Sequence, residues 1–416
     1  MQLSQSFGTI LILLNTNSPD IFRNTKKYFC ILKLPESNLS HPKKSSKNSN
    51  MATKNVEIVL LKDADLENAN ALHNTLYNDN RSNAEFLWEF YKAPAGKAIY
   101  VIARDTDTQK VVGTQCAIPI ELINDKGEVF LTAKSEDTLV DPEYRGLNIF
   151  ENMYKLLFEE CRKAGIKYLW GFTSAKKPFL KLGFQIPYDH SQSLMVIDIF
   201  SAYQYLSRLN TKNTKLSLFK IFGLCVMSKM SAAKRCFSAN AKSISRYSLT
   251  VYDKSFSPSE AQYLRPDLNQ GFAIRQDATF LKWRFVENPN HDKVVSVYFS
   301  DENKTVASII FNYHEKGVWY LVNDAYAKGI TLEQRKAMFS KAVKLLLKRE
   351  KGGIQLIRTW DFVHNEMGRN EIDIRKGIGF THLDRGISFV WKGLDEKDSL
   401  DVNAFYLSRI ASQGVI

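Results

Sequence analysis

The apolar positions of this chain change period several times, and each change marks an element. Ile149, Met153, Leu156, Leu157, Cys161 and Ala164 recur at three- and four-residue intervals, which predicts an amphipathic helix. Gly165 follows as a C-cap, and Ile166 to Phe172 predicts a strand. Upstream, Thr138-Leu139-Val140-Asp141-Pro142-Glu143-Tyr144-Arg145-Gly146 reads as a strand that stops at a proline and turns through Arg-Gly into that helix. A strand, a glycine turn and a helix N-terminus together make an anion site. Free backbone N–H groups and the positive end of the helix dipole aim at one place, so the expected ligand carries phosphates.

The same unit recurs further along. Phe86-Leu87-Trp88-Glu89-Phe90-Tyr91-Lys92-Ala93-Pro94 is echoed by Phe280-Leu281-Lys282-Trp283-Arg284-Phe285-Val286-Glu287-Asn288-Pro289. Two strands joined by a polar turn follow each copy, 98–104 and 110–122 in the first, 294–300 and 304–314 in the second. Leu139-Val140-Asp141-Pro142 is then matched by Leu321-Val322-Asn323-Asp324, a helix over Leu332–Arg349 and a strand over Ile354–Trp360. Lys181-Leu182-Gly183-Phe184 is matched by Lys376-Gly377-Ile378-Gly379-Phe380. A repeat of this size indicates tandem domains rather than a solenoid.

The ordered set from Val56 to Asp198 resembles the GCN5-related N-acetyltransferase (GNAT) superfamily. A strand ending in V-x-P, a basic turn, a helix, a strand, a short helix near Pro178 and a K-L-G-F turn stand in that family's order. Asn148 and Phe150 replace glycines of the commonest turn. Asn tolerates the left-handed conformation, and Phe150 is expected to pack inward. An ordinary βαβ crossover without a ligand is the plain alternative. A dinucleotide fold is disfavoured, because no G-x-G-x-x-G follows the strand.

The resemblance implies an α+β chain of two tandem GNAT-like domains, each a mixed, mostly antiparallel sheet flanked by helices. The expected boundaries are a tail or mis-assigned start at 1–50, an acyl-CoA-binding domain at 51–200, a linker at 201–260, a degenerate second domain at 261–396 and a tail at 397–416. It implies acetyl-CoA as acyl donor and a small-molecule amine or amino sugar as acceptor; the seven scattered histidines support no metal site. Backbone from Arg145, Gly146, Leu147, Asn148, Ile149 and Phe150 would hold the pyrophosphate. Leu139 and Val140 would present main-chain N–H groups to the thioester, donors worth about 3 kcal/mol each when aimed at a developing oxyanion. Strand alternation leaves one of Glu136 and Asp137 facing the acceptor. Glu136 has the parity of the family's base, counting back from Val140, and Asp137 is the reserve; a purely structural role for both is the alternative. The tyrosine that usually serves as general acid has no counterpart in Ser174-Ala175-Lys176-Lys177-Pro178, which leaves water, Tyr188 or a residue of the second domain.

The second copy has Ala327-Lys328-Gly329-Ile330-Thr331 where the anion turn should stand, and Thr331 reads as an ordinary N-cap. It is expected to wall the acceptor cleft without binding cofactor. Two other functions remain open. One is a tRNA-dependent aminoacyltransferase of the peptidoglycan-bridge type, which needs no Arg-Gly turn; the other is a non-catalytic acyl-CoA-binding scaffold.

Charge changes one part of this picture. Of the formal +13, a net +5 lies in residues 1–50 and +9 in residues 201–252, where nine Lys and Arg stand without an acid. The remainder is near neutral, so the basic balance does not indicate nucleic acid. Leu216 to Met227 is apolar on most sides and flanked by Lys229, Lys234 and Arg235. A linker helix buried between domains is the favoured reading of 216–235, contact with an anionic membrane surface is the alternative, and a basic tRNA-contacting arm is a third, weaker one. The five cysteines show no C-x-x-C spacing and suit a reducing, cytoplasmic setting. Residues 1–50 lack both a span-length apolar run and a signal-peptide pattern.

Overall fold

The computed structural model describes residues 54–412 apart from 210–216, 240, 253–270, 291–292, 316, 385 and 396–399. The expected tail at 1–50 lies outside the described residues, as do parts of the linker and of the 397–416 tail.

The first sheet runs β1 (Val56–Leu60), β2 (Ile99–Asp105), β3 (Val111–Asn124), β4 (Val129–Val140), β5 (Tyr168–Thr173). The first four are antiparallel neighbours; β4 and β5 are parallel. Helices α1 (Leu66–Tyr77) and α2 (Asn83–Tyr91) precede β2, α3 (Ile149–Lys163) crosses from β4 to β5, and α4 (Lys176–Lys181) follows. Ser82 starts α2 with a full capping box: its hydroxyl accepts from Glu85 N, and the Glu85 carboxylate accepts from Ser82 N. The inward stripe of α3 is Ile149, Phe150, Met153, Tyr154, Leu157 and Cys161. Phe150 packs its ring 4.9 Å from Tyr154 and 5.6 Å from Phe179.

After β6 (Ser191–Val196) the chain forms α5 (Ile199–Leu209), α6 (Leu218–Arg235), β7 (Ser248–Tyr252), β8 (Phe272–Ile274) and α7 (Ala278–Leu281). The second copy then lays down β9 (Val294–Asp301), β10 (Lys304–Glu315), β11 (Val318–Tyr326), α8 (Leu332–Arg349), β12 (Leu356–Asp361), α9 (Glu366–Ile378), β13 (Thr381–Leu383) and β14 (Ser388–Gly393). As in the first copy, two antiparallel pairs lead to a helix and a parallel strand.

Sheet membership departs from chain order at the edges. β6, which follows the first copy in sequence, pairs with β12 in the second sheet. β14, the last long strand of the second copy, pairs with β5 in the first, Ser388 opposite Thr173. Strands are thus exchanged between the two copies: each half completes the other's sheet.

Between the sheets lies an aromatic layer that includes Trp88, Trp170, Trp283, Trp360 and Trp391; α3 and α8 cover the outer faces over separate clusters. At the centre the two repeat motifs meet. Trp88 Nε1 donates to the Trp283 carbonyl at 2.8 Å, Trp283 Nε1 donates to the Trp88 carbonyl at 2.9 Å, and the rings stack at 5.5 Å. This reciprocal contact is what two copies of one unit make when they face each other across an approximate two-fold axis.

Candidate active site

Two strands that part make the slot. β4 and β5 pair only from Thr132–Lys134 to Tyr168–Trp170. Beyond Lys134 the facing edge of β4 has no strand partner among the described residues. The cause lies on the other edge. Thr114 stands opposite Leu139 and Cys116 opposite Glu136, so Gln115 faces two residues, Asp137 and Thr138. That β-bulge puts Asp137 at φ 51° and bends β4 away from β5.

At the end of β4, Asp141 caps a short turn by accepting from Glu143 N at 3.0 Å. Arg145, Gly146, Leu147 and Asn148 follow, all exposed. Gly146 has φ 89° and open space where a Cβ would stand. Asn148 takes the left-handed conformation, φ 54°, and its side chain makes no capping bond to α3. The helix thus begins with uncapped N–H groups beside a bare glycine backbone, a cradle for a phosphate group.

The bulge also revises the reading of the two carboxylates. It breaks the alternation, and both side chains lie on the face that meets the second sheet. Asp137 is buried, its side chain 3% exposed. His73 Nδ1 reaches it at 2.8 Å, Arg81 Nη2 at 3.0 Å, and the Tyr100 hydroxyl also donates to it. Burial would raise this carboxyl, but Arg81 and His73 overcome that and hold it below the usual carboxylate range. Glu136 is freer, with 26% side-chain exposure, and accepts from Lys134 Nζ.

Comparison with known proteins supplies a domain and a fold. Residues 57–186 match the acetyltransferase (GNAT) domain. Among solved structures, a probable N-acyltransferase from Enterococcus faecalis V583 matches with TM-score 0.55 and 11% identity, over 82% of this chain and 73% of that one. A tandem GNAT protein of the clavulanic acid biosynthesis pathway matches with TM-score 0.51 and 14% identity, over 83% of this chain and 100% of that one. N-myristoyltransferase of Saccharomyces cerevisiae, solved with bound myristoyl-CoA, matches with TM-score 0.52 and 14% identity, over 94% and 93%. Residues 57–186 thus match a GNAT acetyltransferase domain, and the fold of the chain as a whole is that of tandem GNAT proteins and N-acyltransferases. No curated protein sequence matches the chain.

The second GNAT-like copy differs at the decisive place. Helix α8 opens on Thr331, whose hydroxyl accepts from Gln334 N at 3.3 Å while Gln334 Oε1 accepts from Thr331 N at 2.9 Å. A capping box occupies the donors that α3 leaves open. Among the described residues no group of three or more His, Cys, Asp or Glu is placed to hold a metal ion.

Several buried polar residues around the slot were not singled out from sequence. Glu89 and Arg284 occupy matching positions in the repeat, and both are buried in the central layer. Burial pushes the Glu89 carboxyl up to about 7; Arg81 opposes this, while Glu136 and Asp137 add to it. Burial lowers Arg284 to about 9 despite Glu89 nearby, and its Nε and Nη1 have no hydrogen-bond partner. Lys134, also buried, is lowered by desolvation against the pull of Glu136. The repeat itself was the signal: Trp-Glu in one copy and Trp-Arg in the other exchange opposite charges at one core position. Tyr154 was likewise missed. Its hydroxyl lies 2.7 Å from Ser135 Oγ at the fork of the two strands. Tyr188, expected as a possible acid, stacks 3.6 Å from His364 and 5.0 Å from Phe389, with its buried hydroxyl unpartnered.

Proposed function

We propose that the protein transfers an acetyl group from acetyl-CoA to an amine of a small molecule or amino sugar, using the first copy alone for the cofactor. The observation that carries this reading is the uncapped start of α3 behind Gly146, beside the unpaired edge of β4. A pyrophosphate on the N–H groups of residues 146–150 would orient the pantetheine along that edge, adding to β4 as a further strand. Main-chain N–H groups around Leu139 and Val140 would then polarise the thioester carbonyl.

In this reading Glu136 takes a proton from the acceptor ammonium, directly or through one water. The freed amine attacks the thioester carbonyl, and the tetrahedral intermediate expels the CoA thiolate, which takes up a proton. Asp137 acts as a positioning residue: bonded to His73, Arg81 and Tyr100, it fixes the bulge on which the slot depends. The second copy covers the acceptor side. The open helix start supports this reading over a tRNA-dependent transferase, which needs no pyrophosphate cradle.

Calorimetric titration of the full chain with acetyl-CoA tests it. One site per chain is expected, followed by thiol release when amines are screened. Two sites, or no binding at all, would remove the reading.

A further inference from the structure

Helices α5 and α6 carry a surface that acyl transfer does not use. One stripe of α6, Ile221, Cys225, Ser228 and Ala232, is buried at three- and four-residue spacing. Its rotation is fixed by polar contacts as well. Ser228 Oγ accepts from Val196 N at 3.1 Å and donates to the Leu194 carbonyl at 3.3 Å; Lys229 Nζ donates to the Ile197 carbonyl at 2.6 Å. Against the favoured expectation of a helix buried between domains, the buried face of α6 packs on the second sheet, outside the layer between the two sheets. A second apolar stripe, Leu218, Phe222 and Met230 with Phe219 beside it, is left turned outward.

Helix α5 extends that stripe. Phe200 lies 6.3 Å and Tyr203 5.7 Å from the Phe222 ring. Phe200 is 70% exposed, Phe219 61% and Met230 59%. Among the described residues, every exposed phenylalanine sits on these two helices. Scattered apolar side chains on a surface are ordinary, but aromatic and aliphatic side chains gathered on one face mark a contact. The charge around them names its sign. From residue 201 to 252 there are nine Lys and Arg and no acid, with Arg208, Lys220, Lys234 and Arg235 on these helices.

We propose that α5 and α6 form a peripheral docking surface for an anionic lipid bilayer. Phe200, Leu218, Phe219, Phe222 and Met230 enter the acyl region, and the flanking Lys and Arg meet the headgroups. Docking lies in the plane of the membrane: no described helix is long and apolar enough to cross one. A nucleic-acid surface would use the cations but gain little from bare Leu and Met.

Co-sedimentation of the full chain with vesicles is the test, using phosphatidylcholine alone and phosphatidylcholine mixed with phosphatidylglycerol. Binding to the anionic vesicles is expected, with little to the neutral ones and marked weakening by salt. Phe200→Ser, Phe219→Ser and Met230→Ser combined should lower vesicle affinity at least about tenfold while leaving the melting temperature unchanged. The single exposed change Phe219→Glu guards against misfolding of the triple variant and should also weaken binding. Lys220→Gln and Lys234→Gln should each cost about fivefold. Failure of the parent to bind anionic vesicles overturns the proposal. So does equal binding by Phe219→Glu, or binding to transfer RNA that the lysine changes weaken and the phenylalanine changes do not.

Discussion

The two neighbouring carboxylates of β4 are set in different surroundings by one backbone distortion. Glu136→Gln keeps shape and hydrogen bonding but removes basicity; kcat should fall by roughly 10²–10⁴-fold with acetyl-CoA affinity almost unchanged. Raising the pH should partly rescue that variant, since more of the amine is then neutral. Asp137→Asn should instead lower stability, because Arg81 loses its charged partner in a buried site. The sign of the pH dependence follows. Asp137 titrates lower in the folded chain than unfolded, so its contribution is complete above about pH 4 and is lost as pH falls through the folded value. Glu89 acts oppositely. With a folded value of about 7, its protonated form favours the native state, and stability declines as pH rises from about 4.3 toward 7. Thermal melts across that range should show a decline in the parent that Glu89→Gln flattens. Parity singled out Glu136 in the sequence, but the burial of Asp137 among His73, Arg81 and Tyr100 was not readable from the chain. Alternation of faces is a rule for regular strands, and a bulge at a non-glycine residue leaves no mark in composition.

Among the elements, the contrast between α3 and α8 is one of end chemistry. Both are amphipathic crossover helices of similar length, and the periodicity that predicted them held: α8 spans Leu332–Arg349 as expected, and α3 runs Ile149–Lys163. Capping was also legible, because Thr331 three residues before Gln334 is a sequence signature with a definite geometry. Gly146→Pro should abolish acetyl-CoA binding by fixing φ and removing an N–H. Arg145→Ala should weaken it modestly, as the loss of one charge-assisted contact. Thr331→Ala should cost about 1 kcal/mol of stability, read by denaturant titration, with acetyl-CoA affinity unchanged. If Thr331→Ala altered cofactor affinity instead, the second copy would have to hold part of the site. The outward stripe of α6 was less legible: its composition suits burial and exposure equally, and only packing decides which stripe turns inward.

For the whole molecule, the repeat announced two copies of one unit but not how they interlock. The reciprocal Trp88 and Trp283 bonds follow from the repeat once the copies face each other; the exchange of β6 and β14 does not, because a strand's hydrophobic pattern suits either sheet. That exchange has a consequence during synthesis. β5 ends at Thr173, yet the neighbour that covers its edge begins only at Ser388. At ordinary elongation rates of ~5–20 residues per second, the nascent chain carries a bare strand edge with Trp170 and Phe172 for roughly 10–40 s. Neither half can close its sheet without the other, so a gene cut between Tyr252 and Gly271 should yield two fragments that aggregate when made apart. Made together, they should assemble and bind acetyl-CoA. A fragment that folds to a sharp thermal transition alone would show the exchange to be dispensable. For the living cell, the arrangement makes the proposed acyl-CoA slot a late product of translation, since the strand that closes the sheet beside it is among the last to be made.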